Sequence, residues 1–191
     1  GLSSQELSKL SQSENTVDNE AWTAIYCALR LNLGDFKMPL SLVLTSSVSA
    51  EGKSIIAANL AATFAQYGRK ALVIDCDLRR PTQHLYHGLK NNHGIISWIN
   101  GIGEIEDDTI HSRELNISKI ENSGGYYLLT SGGTTKHPVS LFESLQMDRL
   151  ISQLKQEFDV LIFDTPPVGV FRDATSVADF ADYCIFIARQ H

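Results

Sequence analysis

The sequence predicts an α/β fold in which a doubly wound, mostly parallel sheet carries helices on both faces. The main observation is three apolar, β-rich runs, at 40–46, 71–74 and 159–164, each followed by polar or acidic residues. Helical patterns separate these runs, as expected of strand–helix–strand units with right-handed parallel crossovers. Because the runs are continuously apolar, we expect their strands to be buried on both faces of the sheet.

The two ends of the chain depart from this regular pattern. Residues 1–17 are rich in Ser, Gln and Glu and are predicted to be a flexible leader, which leaves residues 18–191 as one domain. At the other end, 183–188 is predicted to be a fourth buried strand, with no helical pattern after it. The sequence therefore leaves open that the fold lacks its C-terminal elements.

The first helix is predicted to begin at Asp18 or Asn19, which are good N-cap residues, and to end before Gly34. Apolar residues recur on one face of it, at Ala21, Trp22, Ile25, Leu29 and Leu33. This face is predicted to pack on the domain, and a contact with another subunit is the alternative.

The remaining elements follow from the same patterns. Helices are predicted at 53–67, 84–86, 94–103, 139–158 and 173–180, and short strands at 117–120 and 126–130. An acidic cluster follows the predicted helix at 94–103 and is predicted to be a solvated loop rather than a metal site. It comprises Glu104, Glu106, Asp107 and Asp108.

A small-residue loop follows the first predicted strand and ends in Gly52-Lys53-Ser54, where a helical pattern begins at once. Strand, loop, Gly-Lys-Ser and helix form the arrangement that binds nucleotide triphosphates, because backbone N–H groups and the helix N-terminus face the phosphates. The residues predicted to line this cradle are Ser49, Ala50, Glu51, Gly52, Lys53, Ser54 and Ile55. The strict pattern G-x-x-x-x-G-K-S/T would place glycine at Ser47, so the local match is incomplete.

Carboxylates follow two other predicted strands, at Asp75 and Asp77 and at Asp164. Ligands of open parallel sheets bind at the carboxyl ends of the strands, where the Gly-Lys-Ser loop also lies. Ser54 with one or more of these carboxylates would provide the hard oxygen ligands of Mg²⁺, and a carboxylate that the metal does not use could accept a proton. A single aspartate at a strand end is more often a helix cap or an ion-pair partner, but three of them beside this loop favour a nucleotide–Mg²⁺ site.

Composition excludes several other classes of protein. The net charge of −6 argues against a general nucleic-acid binder. Three widely spaced cysteines in 191 residues indicate reduced thiols and a cytoplasmic setting rather than a disulfide framework. The sequence has no run of about 18 apolar residues, so no membrane-spanning helix is predicted.

The chain resembles the cytoplasmic catalytic domain of the bacterial tyrosine kinases (BY-kinases) of exopolysaccharide and capsule systems, a branch of the ParA- and MinD-like P-loop ATPases. The first family motif, T-S-x-x-P-G-E-G-K-S, corresponds to residues 45–54 and accounts for the serine at position 47. The second, I-D-x-D-x-R-R/K-P, corresponds to 74–81, and the third, D-x-x-I-x-D-T-P-P, to 159–167. An Asp-Ala pair that often follows the third motif is matched at Asp173-Ala174.

The resemblance implies a P-loop NTPase fold and a set of roles. Lys53 would hold the β- and γ-phosphates of ATP or ADP, and Ser54, Asp77 and Asp164 would hold Mg²⁺ directly or through water. Asp75 is the candidate for orienting or deprotonating the attacking group, with an exchange of roles between Asp75 and Asp77 as the alternative. Val48 lies where MinD- and ParA-type relatives carry a signature lysine, which favours the kinase branch.

The chain departs from the family pattern in two places that bear on function. Ser49 and Ala50 replace Pro-Gly in the loop, so a positive φ at position 50 would be costly. The family motif E-x-x-R-x-x-R, which mediates ring assembly, becomes Ala24, Cys27 and Arg30. A homo-oligomer remains open, but a ring formed through this motif is not expected.

The preferred functional hypothesis is an ATP-dependent protein-tyrosine (auto)kinase that regulates polysaccharide polymerisation and export. The resemblance implies a fused or separate membrane co-polymerase or adaptor as its partner, at the inner face of the membrane. The family's C-terminal tyrosine cluster is absent, so the acceptor tyrosine would lie elsewhere. The alternatives are a catalytically weak nucleotide-binding switch that controls assembly and, less favoured, a small-molecule phosphotransferase.

Overall fold

The computed structural model describes residues 16–34, 37–101, 115–121 and 125–189. The helices in this part of the chain are α1 (Thr16–Leu33), α2 (Lys53–Gln66), α3 (Gln83–Tyr86), α4 (Ile95–Gly101), α5 (Pro138–Phe142), α6 (Leu145–Glu157) and α7 (Asp173–Ala178). The strands are β1 (Leu40–Ser46), β2 (Ala71–Asp75), β3 (Ser118–Ile120), β4 (Tyr126–Leu129), β5 (Val160–Asp164) and β6 (Tyr183–Ile187). The predicted leader up to residue 15 and the acidic loop at 104–108 lie outside the described residues.

The strands of the described residues form one sheet with the order β3–β4–β2–β5–β1–β6. All neighbouring strands are parallel except β3 and β4, which are antiparallel. The chain therefore moves back and forth across the sheet, as a doubly wound fold requires. The predicted mostly parallel α/β architecture is confirmed.

Two apolar clusters cover the two faces of the sheet. Leu42 and Leu44 of β1 belong to one cluster together with Phe64 of α2, whereas Val43 between them belongs to the other with Leu150 of α6. Because successive side chains of a strand point to opposite faces, β1 is buried on both sides. Burial on both faces explains why the sequences of the predicted central strands are continuously apolar. The same packing holds the carboxyl ends of these strands in fixed register.

Helix α1 begins at Thr16, so the prediction that Asp18 or Asn19 caps it is wrong, because both residues lie inside the helix. Its end before Gly34 is confirmed, and Gly34 has a φ of +76°. The buried face also differs from the prediction. Tyr26 is buried against α2, where it stacks on Tyr67 with ring centroids 4.0 Å apart, whereas Ile25 is 42% exposed.

The predicted helix at 139–158 is two helices, because α5 ends at Phe142 and α6 begins at Leu145. Ser144 between them has an extended backbone, and its hydroxyl oxygen accepts a hydrogen bond from the Met147 N–H at 3.2 Å. A serine in this position satisfies an N–H group that has no partner within the helix. The local N-cap therefore overrides the apolar periodicity that continues through it.

Strand β6 is an edge strand, and the prediction of a buried strand at this place is wrong. It pairs with β1, and Phe186 is 53% and Tyr183 is 42% exposed. Its apolar composition resembles that of β2 and β5, but β6 lies at the edge of the sheet, where side chains are less completely covered. Among the described residues, no helix is long and apolar enough to cross a membrane.

Candidate active site

The carboxyl ends of β1, β5 and β2 lie side by side and carry the predicted site residues. The register pairs Asp75 of β2 with Asp164 of β5, and Asp164 with Leu44 of β1. The Cys76 N–H donates a hydrogen bond to the Asp164 carbonyl oxygen at 2.9 Å, which extends the pairing beyond β2. The sheet therefore brings the acidic residues of two strands to the edge at which the loop after β1 begins.

The loop between β1 and α2 has the backbone of an anion cradle. Gly52 adopts the left-handed conformation with a φ of +87°, and the first helical hydrogen bond runs from Ile56 N–H to the Gly52 carbonyl oxygen at 3.0 Å. The amides of the first turn of a helix have no acceptor within that helix, so they are available to a negatively charged group. Lys53 opens the helix and is 8% exposed.

Contacts within the loop hold it in place. The Lys53 Nζ donates to the Ser46 Oγ at 2.9 Å, and Ser46 in turn donates to the Val48 carbonyl oxygen at 2.7 Å. The Glu51 carboxylate accepts the N–H groups of Val48 and Arg189, both at 3.3 Å. The hydrogen bond from Val48 is the main reason why the pKa of Glu51 lies below its usual value.

Ala50 has a φ of +67°, a left-handed conformation that glycine adopts freely and alanine does not. We expect Ala50→Gly to raise the free energy of unfolding by about 1 kcal/mol, because a side chain in this conformation is strained. In a chain of this size the gain corresponds to about 2–4 °C in melting temperature. The measurement is urea unfolding of the ligand-free protein.

The matched control for this prediction is Ala58→Gly, which makes the same chemical change in the interior of α2. Glycine within a helix is less favourable than alanine by about 1 kcal/mol, so this variant should lose stability. A loss of stability in Ala50→Gly as well would contradict the assignment of strain to position 50.

Asp75 is completely buried, and both of its carboxylate oxygens accept backbone hydrogen bonds. One accepts the Asp77 N–H at 3.3 Å and the other accepts the Gln83 N–H at 3.1 Å. Burial, and then the charge of Asp164, raise its pKa well above the usual value. Asp75 therefore anchors the segment that leads from β2 into α3, and it is not open to an incoming ligand.

Asp164 and Asp77 lie in different environments. Burial raises the pKa of Asp164 to about 6, although hydrogen bonds from Ser54 and Gln83 and the charge of Lys53 oppose the shift. Asp77 is half-buried, and burial raises its pKa too, against the hydrogen bond that it accepts from the Arg80 N–H at 2.9 Å. The charge of Lys53 also lowers the pKa of Asp77.

Sequence reasoning missed three polar residues that complete the site. Ser46 accepts the hydrogen bond of Lys53, and the Thr82 and Ser54 hydroxyls are 2.9 Å apart. Gln83 is fully buried and donates through its Nε2 to Asp164 at 2.8 Å and to the Ser54 carbonyl oxygen at 2.9 Å. Thr82 and Gln83 follow the second motif directly, but no local pattern indicated that they turn back toward the loop.

An ion pair joins the segments that follow β2 and β5. Arg79 contacts both carboxylate oxygens of Asp173, at 2.6 and 3.1 Å, and its guanidinium lies 4.7 Å from the centre of the Phe171 ring. Asp173 is 1% exposed, and the bidentate contact gives both of its carboxylate oxygens a charged partner. The pair fixes the acidic segment of the second motif against the start of α7.

The residues present fit a nucleotide with Mg²⁺. Two carboxylates, Asp164 and Asp77, share the charge of one buried lysine, Lys53. A divalent cation would offset the remaining negative charge. Mg²⁺ binds through one or two carboxylates and keeps waters and phosphate oxygens as its other ligands. Ser54, Asp77 and Asp164 are the residues that could hold it.

A parallel sheet with a Gly-Lys-Ser loop at the start of a helix, beside acidic strand ends, defines a P-loop nucleotide-binding domain. The chain belongs to the CobQ/CobB/MinD/ParA nucleotide-binding domain family, whose model matches residues 42–172.

Its relatives in this family include bacterial tyrosine kinases. The chain is 36% identical over 147 residues to the putative tyrosine-protein kinase CapB of Staphylococcus aureus, covering 77% of this chain and 60% of CapB. It is also 36% identical to the tyrosine-protein kinase YwqD of Bacillus subtilis, over 77% of this chain and 58% of YwqD. The chain thus spans about three fifths of the length of these relatives.

A solved structure supports the same relationship. The kinase domain of the Escherichia coli tyrosine kinase ETK superposes with a TM-score of 0.77 and 26% identity, covering 90% of this chain and 63% of that one. The resemblance identified from the three motifs is therefore confirmed at the level of both sequence and fold.

Proposed function

We propose that this chain is the nucleotide-binding and catalytic part of an ATP-dependent protein-tyrosine kinase. The observation that carries the proposal is the meeting of Lys53 and Ser54 with Asp77 and Asp164 at one edge of the sheet. Relatives named tyrosine kinases favour transfer to tyrosine over the alternative of a nucleotide-dependent assembly switch.

The chain's own residues bind the nucleotide and orient it. The first-turn amides of α2 and the backbone of 49–52 hold the phosphates, and Lys53 turns from Ser46 toward the β- and γ-phosphates. Ser54 and Asp164 would hold Mg²⁺, directly or through water, which leaves the Asp77 carboxylate for a proton. When bound, Mg²⁺–ATP supplies the phosphoryl group to be transferred and the cation that neutralises its charge.

Asp77 is our candidate for accepting the proton of the tyrosine hydroxyl, which is the exchange of roles left open by the sequence. Both oxygens of Asp75 are occupied by backbone N–H groups, and the residue is fully buried. Asp77 is half-buried, and the charge of Lys53 lowers its pKa. The tyrosine oxygen gains the phosphoryl group, its proton passes to the Asp77 carboxylate, and ADP leaves.

The proposal extends to the setting in which the kinase acts. Tyr26 and Tyr126 are buried, and the Tyr126 hydroxyl is hydrogen-bonded to His87. The acceptor tyrosine therefore lies outside the core of this domain. We propose a membrane polysaccharide co-polymerase or adaptor as the partner, at the cytoplasmic face of the membrane in an exopolysaccharide or capsule system. Ala24 and Cys27 are exposed on α1 but provide no charged pair. A ring stabilised by charges at these positions is therefore not part of the proposal.

The test is phosphotyrosine formation on a synthetic peptide that carries several tyrosines, in the presence of Mg²⁺ and ATP, followed by mass spectrometry. We expect phosphotyrosine on the peptide and none when EDTA replaces Mg²⁺. Binding of ADP measured by calorimetry, without phosphotyrosine on the peptide or on the protein, would reject the kinase and favour the assembly switch.

A further inference from the structure

We infer that Gln83 is a positioning residue of the metal site, which holds Asp164 and the start of α2 through its amide nitrogen and a metal-bound water through its amide oxygen. The inference rests on the proposed function, since it concerns the same Mg²⁺–nucleotide site. Gln83 lies outside the sequence motifs, but it is fully buried and hydrogen-bonded to Asp164 and to Ser54.

The orientation of the Gln83 side-chain amide is fixed by its partners. One is a carboxylate oxygen of Asp164 at 2.8 Å, and the other is the carbonyl oxygen of Ser54 at 2.9 Å. Both partners are acceptors, so the group that contacts them must be the NH₂ and not the oxygen. Reversing the amide would place oxygen against oxygen at two contacts.

The amide oxygen of Gln83 is completely buried. It has no hydrogen-bond partner among the described residues. Buried polar atoms without a partner are rare, and an ion or a water at a functional site is a common reason for one. The oxygen is bonded to the same carbon as Nε2, which contacts Asp164 and the Ser54 carbonyl oxygen, so the oxygen and these contacts belong to one planar amide group. An acceptor is thus held next to the residues that fit Mg²⁺.

Gln83 also connects these residues to β2. Its backbone N–H donates to Asp75 at 3.1 Å, and the neighbouring Thr82 hydroxyl lies 2.9 Å from that of Ser54. The start of α3 therefore contacts the strand end of β2, the strand end of β5 and the Gly-Lys-Ser helix at once. Residues that orient metal ligands through hydrogen bonds typically change metal affinity by about 10- to 100-fold when they are replaced.

A water of the metal's coordination shell has two hydrogens to donate and is a suitable partner for an amide oxygen. Mg²⁺ keeps several waters when proteins bind it, which makes such a partner available. Gln83 would then hold that water through its amide oxygen and the Asp164 carboxylate through its amide nitrogen. This role affects metal affinity and is separate from the nucleotide contacts of Lys53.

The experiment compares Gln83→Met with the parent protein by titrating Mg²⁺ into the ADP complex in a calorimeter. Methionine keeps the length of the side chain and removes both the donor and the acceptor. We expect Mg²⁺ affinity to fall by about 10- to 100-fold, and ADP affinity in EDTA to fall by much less than that. The matched control is Gln156→Met on the exposed side of α6, which should leave both affinities as they are.

Gln83→Glu keeps an acceptor but adds a carboxylate beside Asp164. The melting temperature without metal and the rise in melting temperature with Mg²⁺ should therefore change in opposite directions. Without metal its melting temperature should fall below that of the parent, and Mg²⁺ with ADP should raise it by more than it raises the parent's. A purely structural glutamine predicts a loss of melting temperature in both variants with parental Mg²⁺ affinity, and that result would overturn the inference. This second variant decides the matter if Gln83→Met does not fold.

The outcomes also separate this inference from the proposed function. Parental Mg²⁺ affinity in Gln83→Met, while the parent forms phosphotyrosine, rejects the role of Gln83 alone. Reduced Mg²⁺ affinity in Gln83→Met, while the parent forms no phosphotyrosine, supports the role of Gln83 and rejects the kinase.

Discussion

Replacement of Lys53 by methionine is expected to abolish phosphotyrosine formation, with a loss of at least about 100-fold in rate. Lys53 is 8% exposed and lies at the start of α2, where its Nζ contacts the Ser46 hydroxyl. A hydroxyl is a weak partner for an ammonium group, so phosphate oxygens can displace it readily. Methionine fills the same space but offers neither charge nor N–H donors to the phosphates.

The measurements for Lys53→Met are the rate of peptide phosphorylation and the affinity for ADP. Lys90→Met is the matched control, because Lys90 is exposed and lies apart from the loop. We expect the control to keep the parental rate. A Lys53→Met protein that retains more than a tenth of the parental rate would contradict the assignment of Lys53 to the phosphates.

Asp164→Asn is expected to stabilise the ligand-free protein and to remove its response to Mg²⁺. Burial raises the pKa of Asp164 to about 6 from an ordinary value of 3.8, so the folded state resists ionisation of this carboxyl group. Above pH 6 the ionised group lowers the free energy of unfolding by about 3 kcal/mol relative to its effect below pH 3.8. Asparagine has a similar shape and can still accept the hydrogen bond of Gln83.

The sign of this effect gives a pH profile for the difference in stability between Asp164→Asn and the parent. A raised carboxyl pKa favours folding at low pH, so the difference should be close to zero near pH 4 and should grow as pH rises toward 6.5. Urea unfolding at several pH values measures it. The exposed Asp179→Asn is the control, for which we expect no such growth.

The second readout for Asp164→Asn is the rise in melting temperature that Mg²⁺ adds to ADP. The parent should gain stability from the metal, whereas the variant should gain none, because a neutral amide is a much weaker ligand for Mg²⁺. A variant that is less stable than the parent at pH 7.5, or that still responds to Mg²⁺, would contradict the role of Asp164. Stability gained with function lost is the expected signature of a buried functional carboxylate.

The sequence by itself determined the central strands, the Gly-Lys-Ser loop and the positions of the acidic residues. Strand β1 has its predicted bounds, and α2 and β5 begin within one residue of theirs. These features are carried by local signals, namely continuous apolar runs, a glycine before a helix, and motifs a few residues long. The motifs also sufficed to identify the family before any tertiary contact was known.

Tertiary structure alone decided which carboxylates are accessible and which strand is exposed. Asp75 and Asp77 are two residues apart and look alike in the sequence, but Asp75 is fully buried whereas Asp77 is half-buried. Likewise, β6 is as apolar as β5 but lies at the edge of the sheet. Burial and hydrogen-bond partners depend on residues that are distant in sequence, as in the contact of Gln83 with Asp164, and no local pattern records them.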